Sequence, residues 1–208
     1  MIDIFQKTPY DHLTYEELST TCKTCDKCQL CEGRTNVVVG HGPIPSKLMI
    51  IGEGPGEQED LQGKPFVGKS GQLLTKILES VGINREKQVY IANTVKCRPP
   101  QNRAPHLTEI ESCKPYLIRQ IQLVQPRILL LLGSPSLKTI LEETIPITKV
   151  RGNWYTLPVP YMEEPLYVMP LFHPSFLLRN QSKEKGSPKW LTWHDMKEVK
   201  AALDYYSA

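Results

Sequence analysis

The chain has 208 residues, 40% hydrophobic and 23% charged, with a formal net charge of +3. That length can bury the core of one ordinary domain, and the balance of apolar to charged residues is that of a globular protein. No apolar run approaches the roughly 20 residues a membrane span needs, and the opening MIDIFQKTPYDHLTYEEL is too acidic and polar for a signal peptide. A cytoplasmic protein is expected, and its mild positive charge permits nucleic-acid binding without demanding it.

In chain order, a short helix is predicted around Tyr15–Leu18, then a cysteine run, then strand-like Val37–Val39. His41–Lys47 is a Gly/Pro loop leading into Leu48-Met49-Ile50-Ile51, an apolar run of buried-strand length. Gly52, Gly54, Pro55 and Gly56 break that run with a tight turn, and Glu57, Glu59 and Asp60 form an acidic loop. Phe66 follows between Pro65 and Val67-Gly68, in a segment too broken for a core element. Leu73, Leu74, Ile77, Leu78 and Val81 then recur at helical spacing.

A second strand, Val89–Ala92, ends at Asn93, and Lys96–Pro105 is a loop rich in Pro and Arg. Thr108 with Glu111 reads as the capping box of a helix towards Val124, and Pro115 predicts a kink or a delayed start. Arg127–Leu132 is a third strand ending at Gly133, with a helix from Ser136. A fourth, Tyr167–Met169, runs towards Phe172-His173. Gln181–Pro188 reads as a mobile surface loop, and Trp190–Tyr206 closes the chain as a helix.

Strands alternating with helices, and strands lacking polar alternation, predict an α/β fold. The expected architecture is a three-layer αβα sandwich around a central, mainly parallel four-stranded sheet, as one domain over residues 1–208. Such sheets bind ligands outside the carboxyl ends of their strands. Glu53, Asn93 and His173 all fall just there, and are expected to converge on one crevice.

Each candidate has an ordinary structural reading alone. A glycine turn joins a strand to a helix, an Asn at a strand end ties down a turn, and a lone His or Phe packs in a core. The turn is not G-x-G-x-x-G and carries no Lys-Ser/Thr of its own. Together they form one chemical set: an aromatic face to stack on a base, an amide to read a base edge, and an imidazole to donate to a departing oxyanion.

Six cysteines in a reducing compartment are poor disulfide candidates. Cys22, Cys25, Cys28 and Cys31 crowd together, while Cys97 and Cys113 lie far downstream, which favours metal or cluster ligation. One set is Cys25 and Cys28 with the two distant residues. The other is the run C-x2-C-x2-C-x2-C, near the ferredoxin pattern but with the wrong last spacing and no following Pro. Either suits tetrahedral zinc or a 4Fe–4S cluster, and spacing leaves the choice open.

At these residues the sequence resembles the family-4 (type a) uracil-DNA glycosylases, iron–sulfur enzymes of bacteria and archaea. The resemblance is carried by Cys25-x-x-Cys28-x-Leu30-x-x-x-Arg34, Gly52-Glu53-Gly54-Pro55-Gly56-x-x-Glu59-Asp60 and Gly63-x-Pro65-Phe66-Val67-Gly68. It continues through Asn93-Thr94-Val95-Lys96-Cys97-Arg98-Pro99-Pro100-x-Asn102-Arg103, Glu109-Ile110-x-x-Cys113-x-Pro115-Tyr116-Leu117 and His173-Pro174-Ser175. These fall in order over roughly residues 22–180 and are jointly specific. One departure is Gly54, where the family usually has Ala; the wider superfamily includes members with a water-activating Asp there.

The resemblance implies a monofunctional DNA-repair glycosylase that flips uracil out of DNA and leaves an abasic site. It implies a structural 4Fe–4S cluster on Cys25, Cys28, Cys97 and Cys113, part of it carried by residues 1–36, with Cys22 and Cys31 extra. Phe66 would stack on uracil, Asn93 read it, His173 donate to O2, Gly54 and Gly56 add backbone dipoles, and Glu53 position water. Glu59 would exclude the thymine methyl, and Asn102 assist at the pocket. Arg98, Arg103, Ser175, Arg179 and Lys183 are candidate DNA contacts. The expected partner is uracil-containing DNA, single- or double-stranded, met by a monomer associated with the nucleoid; a sliding clamp is a further candidate. The competing readings are a non-catalytic cluster-containing nucleic-acid-binding protein, an electron carrier, and a glycosylase that traps the abasic sugar through a histidine loop. The last needs a basic insertion ending in His where KCRPPQNRAP stands.

Overall fold

The computed structural model describes residues 6–142, 144–159 and 164–206; the first five residues of the N-terminal segment and the last two of the chain lie outside them. Two helices, α1 (Tyr15–Lys23) and α2 (Leu30–Gly33), precede β1 (Leu48–Gly52). Then come α3 (Glu57–Gln62), α4 (Lys69–Ser80), α5 (Arg85–Gln88) and β2 (Val89–Asn93). A 3-10 turn at Pro100–Asn102 leads to α6 (Leu107–Val124), β3 (Ile128–Leu132), α7 (Ser134–Leu141) and α8 (Ile147–Val150). The chain continues through β4 (Tyr155–Leu157), β5 (Leu166–Leu171), α9 (Pro174–Arg179) and α10 (Pro188–Tyr205).

The sheet order is β2-β1-β3-β5-β4, with the first four strands parallel. Every residue of β1, β2 and β3 is buried, as a sheet covered on both faces requires. Successive side chains point to opposite faces. Met49, Ile51, Leu129 and Leu131 therefore join α6 and α7 in one core, and Leu48, Ile50, Ile128 and Leu130 join α4 and α10 in the other. Each such side chain contributes about 1.5–3 kcal/mol by leaving water. Helix, sheet, helix is the expected layering.

The sheet has a fifth strand beyond the expected four. β4 pairs antiparallel with β5 over only three residues, of which Leu157 alone is fully buried, so it presents no apolar run to read. The Val37–Val39 segment is buried but is not a strand; its link to the loop after β2 is Val38 N–H on the Lys96 carbonyl, 2.8 Å. Val37 and Val39 instead enter a third core with Leu18, Leu30, Val95 and Tyr116, which docks the N-terminal segment on α6.

Four helix starts differ from expectation; one is α10, which begins at Pro188, two residues before the expected Trp190, capped by the Ser187 side chain. The acidic stretch is the helix α3, because Glu59 turns back to accept from Gly56 N–H at the helix start. α6 begins at Leu107, its capping acid being Glu109 on His106 N–H at 2.7 Å in place of Glu111 on Thr108. It runs uninterrupted through Pro115; the carbonyl deprived of an amide partner belongs to Glu111, an exposed residue that water can serve. α7 starts at Ser134, two residues early, because Pro135 suits a first helical turn. Among the described residues no helix is long and apolar enough to cross a membrane.

Candidate active site

The strand order reverses beside β1, which has β2 on one side and β3 on the other. Outside the carboxyl ends of such strands the chain diverges in both directions and leaves a crevice. Here it is a cavity of about 400 Å³, lined by Glu53, Gly54, Pro55 and Gly56 after β1, by Asn93 ending β2, and by His173 after β5. Phe66, Glu59, Ser70, Asn102, Arg103, Ser175 and Arg179 complete most of the wall.

Asn93 is 1% exposed, and its buried side-chain oxygen has no hydrogen-bond partner among the described residues. A buried acceptor left unpaired costs roughly 1–3 kcal/mol, which a ligand donor would recover. Its main-chain carbonyl is held by the ammonium of Lys96, itself 1% exposed, at 2.8 Å. Gly52 faces Asn93 across the β1–β2 ladder. A Cβ there would stand 2.6 Å from two Phe66 ring carbons and closer still to the Asn93 side-chain oxygen. Glycine is required for both walls to close.

Phe66 lies at φ +54°, a region that bulky residues seldom occupy. Its ring is almost wholly buried, 5.8 Å from the imidazole of His173 and tilted 36° to it. Glu59 spans two loops of the wall. One oxygen accepts from Gly56 N–H at 3.2 Å, the other from Val67 and Gly68 N–H at 2.8 and 2.7 Å.

His173 caps α9. Its Nδ1 accepts from Ser175 N–H at 3.1 Å, with the Ser175 hydroxyl 2.8 Å away, so the ring proton resides on Nε2. Burial, reinforced by the Arg179 charge and opposed by Glu59, lowers its pKa to about 4, and the ring is a neutral donor at ordinary pH. Glu53 is half-buried, and burial raises its carboxyl pKa.

The expected cations divide. Arg103 forms a two-pronged pair with the buried Glu109 at 2.9 and 2.7 Å, and Arg98 Nε donates to Asn102 at 2.8 Å. Arg179 and Lys183 are exposed and make no hydrogen bond or ion pair among the described residues; only Arg179 lines the crevice.

All six cysteines, with Lys27, Arg34, Lys96 and Tyr116, line a second and much smaller cavity beneath the loop after β2. Every one is a free thiol. Arg34 Nη1 donates to Cys97 Sγ at 3.3 Å and to the Cys25 carbonyl at 2.6 Å. Burial pushes the Cys113 thiol up to about 11 and Cys22 up to about 12. Among the described residues no three ligands are placed around a single metal ion. Thiols gathered in one cavity from the cysteine run and from Cys97 and Cys113 are the donor set that an iron–sulfur cluster would take.

Ser70, Pro99 and Pro105 also stand in the wall, though the sequence reading gave none of them a place there. One motif passed over is Gly63–Ser70, GKPFVGKS, which has the spacing of a phosphate-binding P-loop. It follows α3 and not a strand, and two of its amides are occupied by the Glu59 carboxylate, so an internal anion fills the nest.

Fold and crevice together define a doubly wound α/β protein whose crevice is walled by an aromatic ring and by hydrogen-bonding side chains. The sequence profile of the Uracil DNA glycosylase superfamily matches residues 39–197. Over 170 residues, 81% of this chain and 85% of the relative, the chain is 46% identical to a type-4 uracil-DNA glycosylase of Thermotoga maritima. It is 43% identical to the type-4 enzyme of Sulfurisphaera tokodaii, over 82% of this chain and 78% of that one. For that of Saccharolobus solfataricus the identity is 41%, over 87% and 82%. The chain belongs to the uracil-DNA glycosylase superfamily.

Proposed function

We propose that this protein is a DNA-repair hydrolase that excises uracil from DNA, leaving an abasic sugar and free uracil. The observation that carries the reading is the buried, unpartnered Asn93 oxygen beside the Phe66 ring and a neutral imidazole.

Uracil leaves the helical stack, enters the crevice and lies against Phe66. Asn93 accepts from N3–H and its amide donates to O4. Cytosine offers the reverse pattern and would strand buried polar groups, which a site built on hydrogen bonds rejects strongly. As the C1′–N bond breaks, charge flows into the base, and His173 Nε2–H donates to O2 where it gathers. The Gly54–Gly56 backbone adds dipoles. Glu53 holds the attacking water and steadies the cationic sugar. Glu59 shapes the wall by tying the Gly56 and Val67–Gly68 amides, and Asn102 and Ser175 stand at its rim. Arg179 takes a phosphate at the mouth, with Arg98 and Lys183 further out.

Cys25, Cys28, Cys97 and Cys113 hold a 4Fe–4S cluster in this reading. The cluster's contribution is structural, pinning the segment Cys97–Cys113 against the N-terminal segment.

The test is iron-replete protein with a uracil-containing oligonucleotide, followed by alkali, beside a thymine strand, His173→Ala and Asn93→Ala. Cleavage at uracil alone, weakened in both variants, supports the enzyme. Binding without cleavage by protein of verified cluster content would replace it with a non-catalytic DNA-binding module.

A further inference from the structure

We infer that Arg85, outside the crevice, is the positioning residue of the aromatic wall. It opens α5 just ahead of β2, and its side chain is only 13% exposed. Nη1 donates to the carbonyl of Phe66 at 2.8 Å, to that of Gly71 at 3.3 Å and to the Thr75 hydroxyl at 2.8 Å; Nη2 donates to the Pro65 carbonyl at 2.8 Å. Among the described residues Nε has no hydrogen bond, and the exposed Glu86 carboxylate 3.7 Å away is the one anion within ion-pair reach.

Burying a guanidinium with so little neutralisation is costly, and burial does disfavour its charge. What it gains is four contacts confined to one stretch, residues 65–75, that contains the positive-φ Phe66. The fork geometry is specific to arginine, because one ammonium cannot serve carbonyls on both sides of that kink.

The opposing clamp is Glu59, which binds the amides immediately after Phe66 while Arg85 binds its carbonyl and the one before. Gly71 completes the fit: a Cβ there would overlap the Phe66 carbonyl, so α4 is pressed against the backbone Arg85 holds. Main chain is thus gripped from both directions and the ring has one place to lie. Arg85 touches neither base nor sugar and acts through Phe66 alone.

The inference rests on the uracil-excision reading. Its test is a double-mutant cycle in single-turnover excision from a single-stranded uracil oligonucleotide: wild type, Arg85→Met, Phe66→Ala and the pair, with a thermal midpoint for each. Arg85→Met is expected to slow excision at least about tenfold while the half-saturating concentration holds, because phosphate contacts set encounter and stacking acts afterwards. In the Phe66→Ala background the same change should cost nothing further, since the group it positions is gone. Effects that multiply, or an Arg85→Met rate equal to wild type, overturn the inference. Should Arg85→Met be unfolded at assay temperature, Arg85→Lys enters the same cycle and is read the same way. A wild-type protein without excision overturns the function and this role together, whereas an active wild type with a multiplicative cycle overturns only the role of Arg85.

Discussion

Gly52→Ala isolates the pocket wall with one added carbon. Gly52 ends β1 in extended backbone that alanine also adopts, so the effect is steric and local. The new Cβ would stand 2.6 Å from Phe66 Cε2 and Cζ. Comfortable carbon contacts lie at about 3.5–4.0 Å, so the ring retreats by about 1 Å, and the Asn93 oxygen moves with it. A displacement of that size at a reacting site costs about 100-fold in rate, about 2.7 kcal/mol of barrier. Overpacking alone destabilises by about 1–3 kcal/mol, or up to about 10 °C in thermal midpoint for a chain of this length. The assay is single-turnover uracil excision well below that midpoint, with enzyme in excess. A variant that loses the expected stability yet excises within about threefold of wild type would refute the argument, because ring and amide could then move without consequence.

Three further outcomes are expected. His173 titrates at about 4 when folded against an ordinary 6.5, so the unfolded chain binds the extra proton between those values. Stability therefore stands in full above about pH 6.5 and is lost towards pH 4, on the order of 3 kcal/mol in all; urea unfolding of wild type and His173→Gln at about pH 5 and about pH 7.5 should show a smaller drop in the variant, and equal drops refute the assignment. Arg179→Ala should lower the slope of log affinity against log salt by about one phosphate contact, whereas Arg103→Ala leaves the slope and lowers the melting temperature by stranding Glu109; a reversed pattern in binding titrations sinks the division of cations. Cys97→Ala should emerge from anaerobic purification without iron or acid-labile sulfide, while Cys22→Ala and Cys31→Ala keep both; iron lost equally in all three would reject the ligand set.

The parallel strands were legible because Leu48–Ile51 and the stretch up to Leu132 are apolar without alternation, a pattern that only a sheet covered on both faces explains. The positions of Glu53, Asn93 and His173 followed from where those strands stop. β4 was not legible, since three residues with one buried side chain carry no period. The start of α6 was misplaced because Glu109 and Glu111 stand two apart and either could cap; the choice falls to Arg103, which pairs with Glu109. Phe66 stood out as a stranded aromatic, yet nothing nearby in the sequence pointed to Arg85, because that contact joins carbonyls 14–20 residues away and main-chain acceptors leave no mark in composition.

The two sides of the crevice differ in what anchors them, and this divides its tolerance. Asn93 sits on the last rung of a ladder buried throughout, backbone of the kind that opens only at high cost. Elsewhere in the wall, Asn102 belongs to the exposed turn Pro100–Asn102, with Gln101 and Asn102 at positive φ, backbone of the kind that opens at little cost. A stiff side cannot yield to a base of the wrong outline, whereas a compliant side can follow strands of different curvature. Stiffness and give in the crevice wall are then two ends of one gradient in local stability.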